Sequence, residues 1–139
     1  MADVISKKSI GAALAVRLIQ AAEKKANEIG KAMVICITDE SGVQKAFLRM
    51  DGAPQVSVEI AFQKAKTAIG FGIPTHAWHD FIKNDPPLAL GAPHIRDLVI
   101  YGGGYPIKSG DAVIGGIGIS GGHYSDDMKV AEAALAVMG

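Results

Sequence analysis

The stretch from Gly102 to Gly122 constrains the fold more than any other part of the chain. It contains nine of the seventeen glycines in the sequence. Because glycine has no side chain, this density indicates tight turns and a close approach of the backbone to a neighbouring helix or a ligand. Residues 108–111, Lys-Ser-Gly-Asp, have hairpin-turn composition and separate two short apolar runs. The stretch therefore predicts a β-hairpin with glycine on both arms, followed directly by a helix.

The remaining segments predict an α+β fold with a five-stranded antiparallel sheet covered by helices. Besides the hairpin arms, apolar runs and alternation place strands at residues 32–38, 43–49 and 97–100. Apolar spacings of three and four predict helices at residues 6–29, 54–71, 75–83 and from 124 or 125 to 137, with a loop at 88–93. Since 49% of the 139 residues are apolar and 20% are charged, we expect one domain over residues 1–139.

Charge and hydrophobicity exclude several classes of partner. The chain has 14 basic and 14 acidic residues, so it has no basic surface for nucleic acid and little net charge to keep copies apart. No apolar run reaches the roughly 20 residues of a membrane helix, and the first residues lack the pattern of a signal peptide. We therefore expect a cytoplasmic homo-oligomer that binds neither nucleic acid nor membranes. The single cysteine, Cys36, lies in an apolar run and is predicted to be a buried, inert thiol.

Four segments together carry a resemblance to a known family. They are Arg49–Ala53 (RMDGA), Lys64–Ala68 (KAKTA), Gly102–Ile107 (GGGYPI), and Gly115–Gly122 (GGIGISGG) followed by Asp126-Asp127. In this order and spacing the chain resembles the GlcG/HbpS family, which includes the C-terminal domain of PduO-type proteins. The resemblance implies a profilin-like fold, assembly into dimers or larger rings, and binding of haem by some members. It also implies an accessory role in an operon for glycolate, glycerol or propanediol use.

The resemblance also marks one departure. It implies that haem-binding PduO-type domains use a histidine of the first helix as the iron ligand. The predicted first helix of this chain, residues 6–29, contains no histidine. No counterpart of the PduO adenosyltransferase domain is found in the sequence, so that activity is not expected.

The predicted ligand site lies where the glycine hairpin meets the middle and last helices. Its glycines would leave room and expose amides, and the last helix would add unpaired amides and the positive end of its dipole. Its lysines would neutralise carboxylates such as haem propionates, and its histidine would supply a proton or a bond to iron. The predicted ligand-binding residues are Lys64, Lys66, Gly103, Gly104, Ser120, Gly121, Gly122 and His123.

Structural roles are the alternative for the same residues. Lys64 and Lys66 would then form an ion pair with Asp51 or extend along the helix surface into solvent. His123 and the glycines would then serve only the packing and the start of the last helix. Both interpretations remain open at the level of sequence.

Other chemistries have weaker support in the sequence. His76 and His79 share a helix face with Asp80, but no further ligands follow at a recognisable spacing, so no metal site is predicted. The glycine-rich run lacks the pattern of a phosphate-binding loop, and its Gly-Ile-Ser-Gly-Gly segment lacks the partners of a hydrolase nucleophile. The leading hypothesis is a small-molecule binding protein, with haem or another tetrapyrrole as ligand. The rivals are an enzyme acting on a small oxidised metabolite, with His123 or a lysine as the acid–base group, and an assembly protein without a ligand.

Overall fold

The computed structural model describes residues 1–139 and has an α+β architecture. Its strands are β1 (Val34–Asp39), β2 (Gln44–Arg49), β3 (Gly104–Ser109) and β4 (Ala112–Ser120). Its α-helices are α1 (Ala12–Glu28), α2 (Ser57–Phe71), α3 (Ala77–Ile82), α4 (Pro86–Gly91) and α5 (Tyr124–Leu135). Short 3-10 turns follow α4 at Ala92–His94 and α5 at Ala136–Met138. No helix is both long enough and apolar enough to cross a membrane.

The sheet has four strands in the order β2-β1-β4-β3, and every neighbouring pair is antiparallel. The predicted glycine hairpin is the β3–β4 pair, and β1 is the buried interior strand that its apolar run predicted. The predicted count of five strands is wrong, because residues 97–100 form a loop. Its backbone groups bond to a side chain on α2: Thr67 Oγ1 donates to Asp97 O and accepts from Val99 N. With these groups occupied and Asp97 in the left-handed region at φ 63°, the segment does not join the sheet.

Three helix predictions need correction. The segment predicted as a loop at residues 88–93 contains most of α4, which begins at Pro86 and is capped by Asp85 through a bond from Leu88 N. The first helix begins at Ala12 rather than near Ser6. The last helix, predicted to run to residue 137, ends at Leu135, and Val137 lies in the exposed turn that follows it.

The sheet separates two unequal packing layers. On one face, α1 and α5 cover the main apolar core, to which the sheet contributes isoleucines such as Ile35 and Ile117. On the other face, α2 lies directly on β4, where alternate positions are glycine. A Cβ atom at Gly118 would overlap the carbonyl oxygen of Ala61, so only glycine permits this backbone-to-sheet approach. The glycines of β4 therefore set the depth at which α2 sits.

Candidate functional site

A cleft of about 350 Å³ lies where the start of α2 meets the end of β4 and the start of α5. We call it the α2–α5 cleft. It contains five of the eight predicted ligand-binding residues: Lys64, Ser120, Gly121, Gly122 and His123. Its other lining residues are Pro54, Val56, Ser57, Ile60, Tyr101, Tyr124 and Asp127. The structure thus brings most of the predicted site together from three segments distant in sequence.

Lys64 forms the inner wall of the cleft through a buried ion pair. Its Nζ donates to Asp127 Oδ2 at 2.8 Å and to the carbonyl oxygen of Ile119 at 2.8 Å. The side chains of Lys64 and Asp127 are only 1% and 2% exposed. Asp127 Oδ1 also accepts a hydrogen bond from Gly122 N at 3.1 Å. This network fastens the first turn of α5 to the middle of α2 and to the end of β4.

The burial of this pair acts on both charges. Desolvation lowers the pKa of Lys64 and raises the pKa of Asp127, while their mutual attraction and hydrogen bond oppose both shifts. Lys64 therefore does not extend into solvent, which was one reading of its position on the helix. Its partner within the chain is Asp127 rather than Asp51, and its positive charge is already balanced. Asp127 belongs to a motif that carried the family resemblance, but the sequence did not identify it as a site residue.

Gly103 and Gly104 lie beneath the cleft and do not line it. A Cβ atom at Gly103 would lie 2.6 Å from Lys64 Nζ, and one at Gly104 would overlap the backbone carbonyl oxygen of Lys64. The backbone of Gly104 is also occupied, since its N–H donates to Thr75 Oγ1 at 2.9 Å. These two glycines therefore make room for Lys64 and α2.

His123 is the N-cap of α5 and is exposed at the mouth of the cleft. Its Nδ1 accepts a hydrogen bond from Ser125 N at 3.2 Å and lies 2.8 Å from Ser125 Oγ. Its ring lies 4.1 Å from the ring of Tyr124, measured between centroids. Its Nε2 makes no hydrogen bond within the chain. Of the predicted side chains in the cleft, His123 is thus the one that solvent and a ligand can reach.

The remaining predicted residues have other surroundings. The hydroxyl groups of Ser120 and Ser57 are hydrogen-bonded to each other, with 3.1 Å between their Oγ atoms, and both serines are buried. Lys66 lies two residues after Lys64, so it points to a different side of the helix. Its Nζ donates to Asp97 Oδ2 at 3.1 Å, in a separate cavity. Lys66 is therefore not part of the α2–α5 cleft.

The two histidines considered for a metal line a neighbouring cavity of about 420 Å³. His76, His79 and Asp80 meet Tyr101 and Tyr124 there. No group of three or more histidine, cysteine, aspartate or glutamate side chains is arranged to hold a metal ion. Tyr101 and Tyr124, with ring centroids 6.3 Å apart, border both this cavity and the α2–α5 cleft. These tyrosines were missed from the sequence, since neither belongs to a motif that suggests a ligand.

Comparison with known proteins places these features in a wider group. The sequence model of the family described as "Haem degrading protein HbpS-like" matches residues 10–136. The corrinoid adenosyltransferase PduO of Salmonella typhimurium is 34% identical over 123 residues, which cover 88% of this chain. The matched region is 37% of the length of that relative, so this chain spans little more than a third of it.

Two solved structures share the fold. The crystal structure of the Klebsiella pneumoniae protein ORFY has a TM-score of 0.90 and 31% sequence identity, covering 98% of this chain and 94% of that chain. The crystal structure of a PduOC–heme complex has a TM-score of 0.84 and 32% identity, covering 92% of this chain and 94% of that chain.

Proposed function

The chain belongs to the HbpS-like family, as its motifs predicted, and on that premise we propose that it binds haem or another tetrapyrrole in the α2–α5 cleft. One relative of similar fold has been solved as a heme complex. The observation in this chain that carries the proposal is the arrangement of His123 beside two partly exposed tyrosine rings. Such an aromatic wall suits a planar, largely apolar ligand, and an imidazole nitrogen is a common ligand of haem iron.

The residues of the cleft fit these requirements. Tyr101 and Tyr124 are 43% and 46% exposed, and Val56 on the opposite side is 66% exposed. Large apolar surfaces left open around a concavity are typical of ligand sites. With a volume of about 350 Å³, the cleft lies near the lower end of the usual range of about 300–1,000 Å³. A bound tetrapyrrole would therefore keep one edge in solvent.

His123 can present the nitrogen that an iron ion requires. When Nδ1 carries the proton, it can donate to Ser125 Oγ, and the lone pair of Nε2 is then free. The hydrogen bond from Ser125 N to Nδ1 requires the tautomer in which Nδ1 carries no proton. Iron ligation through Nε2 would therefore replace this bond by one that Nδ1 donates to Ser125 Oγ. Histidine is a common axial ligand of haem, and bound haem would supply an iron centre for redox or gas-ligand chemistry.

The proposed iron ligand differs from the one that the family resemblance implied. The observed α1 contains no histidine and packs on the opposite face of the sheet from α2, so the iron ligand would be His123, the N-cap of α5. Lys64 is already neutralised by Asp127, so the carboxylates of the ligand would lie at the open rim, away from Lys64. Gly121, Gly122 and Ser120 would shape the floor, and Lys66, Gly103 and Gly104 would act outside the contact surface.

Hemin titration followed by the Soret band tests this proposal. We expect the wild-type protein to shift the band, and His123→Ala to weaken binding or change the spectrum of the bound haem. His94→Ala is the matched control, because His94 is exposed in the turn after α4, outside the cleft. A Soret shift that survives in His123→Ala but is lost in His76→Ala would move the site to the neighbouring cavity. Absence of binding by the wild-type protein would refute the proposal.

A larger substitution in the glycine-rich segment is a poor test of the same site. A Cβ atom at Gly121 would lie 2.7 Å from Ala32 O and 2.8 Å from Met33 Cα, so Gly121→Val would disturb the fold itself. At Gly122 the nearest atom would be Met33 Cε at 3.3 Å, the end of a flexible side chain. Gly122→Ala is therefore the better probe of the floor.

We further propose that the chain forms one domain, assembles as a homo-oligomer and serves as an accessory protein of a metabolic operon. Self-association is supported by zero formal net charge and by exposed apolar side chains on the surface of α4, Leu88 and Leu90. Light scattering measures this directly. A particle of 14.4 kDa at micromolar concentration would contradict an oligomer.

A further inference from the structure

We propose a second small-molecule site, for a planar aromatic carboxylate, in the cavity beside Trp78. This Trp78 cavity has a volume of about 310 Å³ and lies between the end of α2, α3 and the loop at residues 95–98. Its walls include Phe71, Trp78, Ile95 and Leu98, with Lys66 and Arg96 among its polar members. It shares no lining residue with the α2–α5 cleft, so this inference does not depend on the proposed function.

An incomplete aromatic cluster borders the cavity. Trp78 packs edge-to-face against Phe71 at 5.4 Å and against Phe81 at 5.8 Å, measured between ring centroids. Phe71 and Phe81 nevertheless remain 61% and 57% exposed. Aromatic rings at such distances favour further edge-to-face or offset contacts. A planar aromatic ligand would complete the cluster and cover the exposed ring of Phe71.

Trp78 also contributes an unpaired donor. Its indole N–H is buried and has no acceptor in the chain. Nearly all buried donors in folded proteins have a partner, so an orphan on a residue that lines a cavity favours an acceptor from outside the chain. A carboxylate or another oxygen acceptor would meet that need.

The charges around the cavity favour an anion. Lys66 and Arg96 both approach the single carboxylate of Asp97, at 3.1 Å and 3.9 Å. The Lys66 ammonium beside Asp97 holds the pKa of that carboxyl below its usual range, so Asp97 is ionised at neutral pH. Two cations therefore share one anion. Arg96, with its side chain 95% exposed, is the cation left free for a second partner.

The loop that carries Arg96 is fixed in place. Asp97 holds a left-handed backbone conformation, with φ 63°, that residues other than glycine rarely adopt. Its carbonyl oxygen accepts from Thr67 Oγ1 at 2.9 Å, and its Oδ1 accepts from Gln63 Nε2 at 3.4 Å. Residues of strained backbone that the surroundings hold in this way are frequent at ligand sites. The neighbouring Arg96 is thus held at the cavity rim.

The single tryptophan of the chain gives a direct test. Benzoate, added to the full-length protein, is expected to change the fluorescence of Trp78 saturably. Acetate lacks the ring and benzyl alcohol lacks the charge, so both are expected to bind much more weakly. Arg96→Ala is expected to weaken benzoate binding about tenfold, because it removes one charge-assisted hydrogen bond. Arg17→Ala, an exposed arginine on α1, is the matched control and is expected to bind benzoate like the wild type.

Three outcomes would overturn this inference. If the ratio of initial to observed fluorescence rises linearly with benzoate concentration and the change does not saturate, the effect is collisional quenching only. An equal effect of acetate would indicate a general anion effect. Equal affinities of Arg96→Ala and Arg17→Ala would remove the charged contact on which the carboxylate assignment rests. Because Arg96 is almost fully exposed, its substitution is expected to leave the fold intact, so a change in affinity can be attributed to the site.

Discussion

Lys64→Met is expected to destabilise the protein far more than a lysine substitution on a helix usually does. The substitution leaves Asp127 buried without its counter-ion and leaves the carbonyl oxygen of Ile119 without its donor. Removal of one partner from a buried ion pair costs about 3–5 kcal/mol. Since proteins of this size are stable by about 5–15 kcal/mol, this loss is a large fraction of the total free energy of unfolding. Urea unfolding followed by far-UV circular dichroism measures it.

Two further variants separate charge from packing. Lys66→Met makes the same substitution two residues later, in a pair with Asp97 that is partly exposed, and is expected to cost at most about 1 kcal/mol. In the double variant Lys64→Met/Asp127→Asn no buried charge remains, and the new amide oxygen can still accept from Gly122 N. The double variant is therefore expected to lose about 1–3 kcal/mol less stability than the sum of the losses of Lys64→Met and Asp127→Asn alone.

The cost of Lys64→Met is also expected to depend on pH. Burial raises the pKa of Asp127 above its ordinary value of 3.8, and the attraction of Lys64 limits that rise. Without Lys64 the folded-state pKa rises further above the unfolded value. A raised folded-state pKa contributes stability below the unfolded pKa, and this contribution is lost as pH rises through the folded pKa. The loss of stability in Lys64→Met relative to the wild type should therefore become smaller as the solution is acidified toward pH 3.8.

A stability of Lys64→Met within about 1 kcal/mol of that of Lys66→Met would show that the buried pair is energetically ordinary. Additive losses of stability for Lys64→Met and Asp127→Asn in the double variant would equally contradict the expected coupling between residues in direct contact. A deficit that grows on acidification would reverse the assigned sign of the pKa shift.

Two other predictions follow from packing and burial. Gly118→Ala should lower the free energy of unfolding by at least about 3 kcal/mol or prevent folding, because its Cβ would meet the backbone of Ala61. Gly70→Ala, with open space around it, should instead stabilise α2 by about 0.4–1 kcal/mol. Urea unfolding compares the two variants, and equal stabilities would contradict the packing of α2 on β4. Burial raises the pKa of Cys36 to about 12, so iodoacetamide should alkylate it only after unfolding, and rapid alkylation of the native protein would show that the thiol is accessible.

Local chemistry made much of the fold predictable. The hairpin turn at Lys108–Asp111 and the apolar run of β1 are signals contained within a few residues, and both appear in the structure. The segment Asp97–Ile100 has the composition of a strand, but it is drawn into a loop by Thr67, about 30 residues earlier. The Asp85-Pro86 pair follows one helix and starts another, and the predicted loop at residues 88–93 therefore missed α4.

The meeting of these segments was predictable more than their contacts. The sequence predicted that the glycine hairpin, the middle helix and the last helix meet, and in the structure these three elements border the α2–α5 cleft. A lysine on an apolar helix face can reach either solvent or a buried carboxylate. For Lys64 the outcome depends on Asp127, which lies 63 residues away in the sequence and gives no local signal. The tyrosines that border the cleft carry no local signal, since exposed aromatic residues have a role only once the topology places them side by side.

The glycine-rich stretch and the buried ion pair have a joint consequence for ligand choice. Gly103 and Gly104 leave the space in which Lys64 and α2 sit, and Asp127 then holds α5 against Lys64. These four residues therefore specify the inner frame of the cleft, and a change in any one of them would disturb the fold. The surface that a ligand would touch is formed instead by exposed side chains, chiefly Tyr101 and His123. Because the frame is held by buried groups and the contact surface by exposed ones, substitutions at the surface can change ligand specificity while the packing beneath the cleft stays the same.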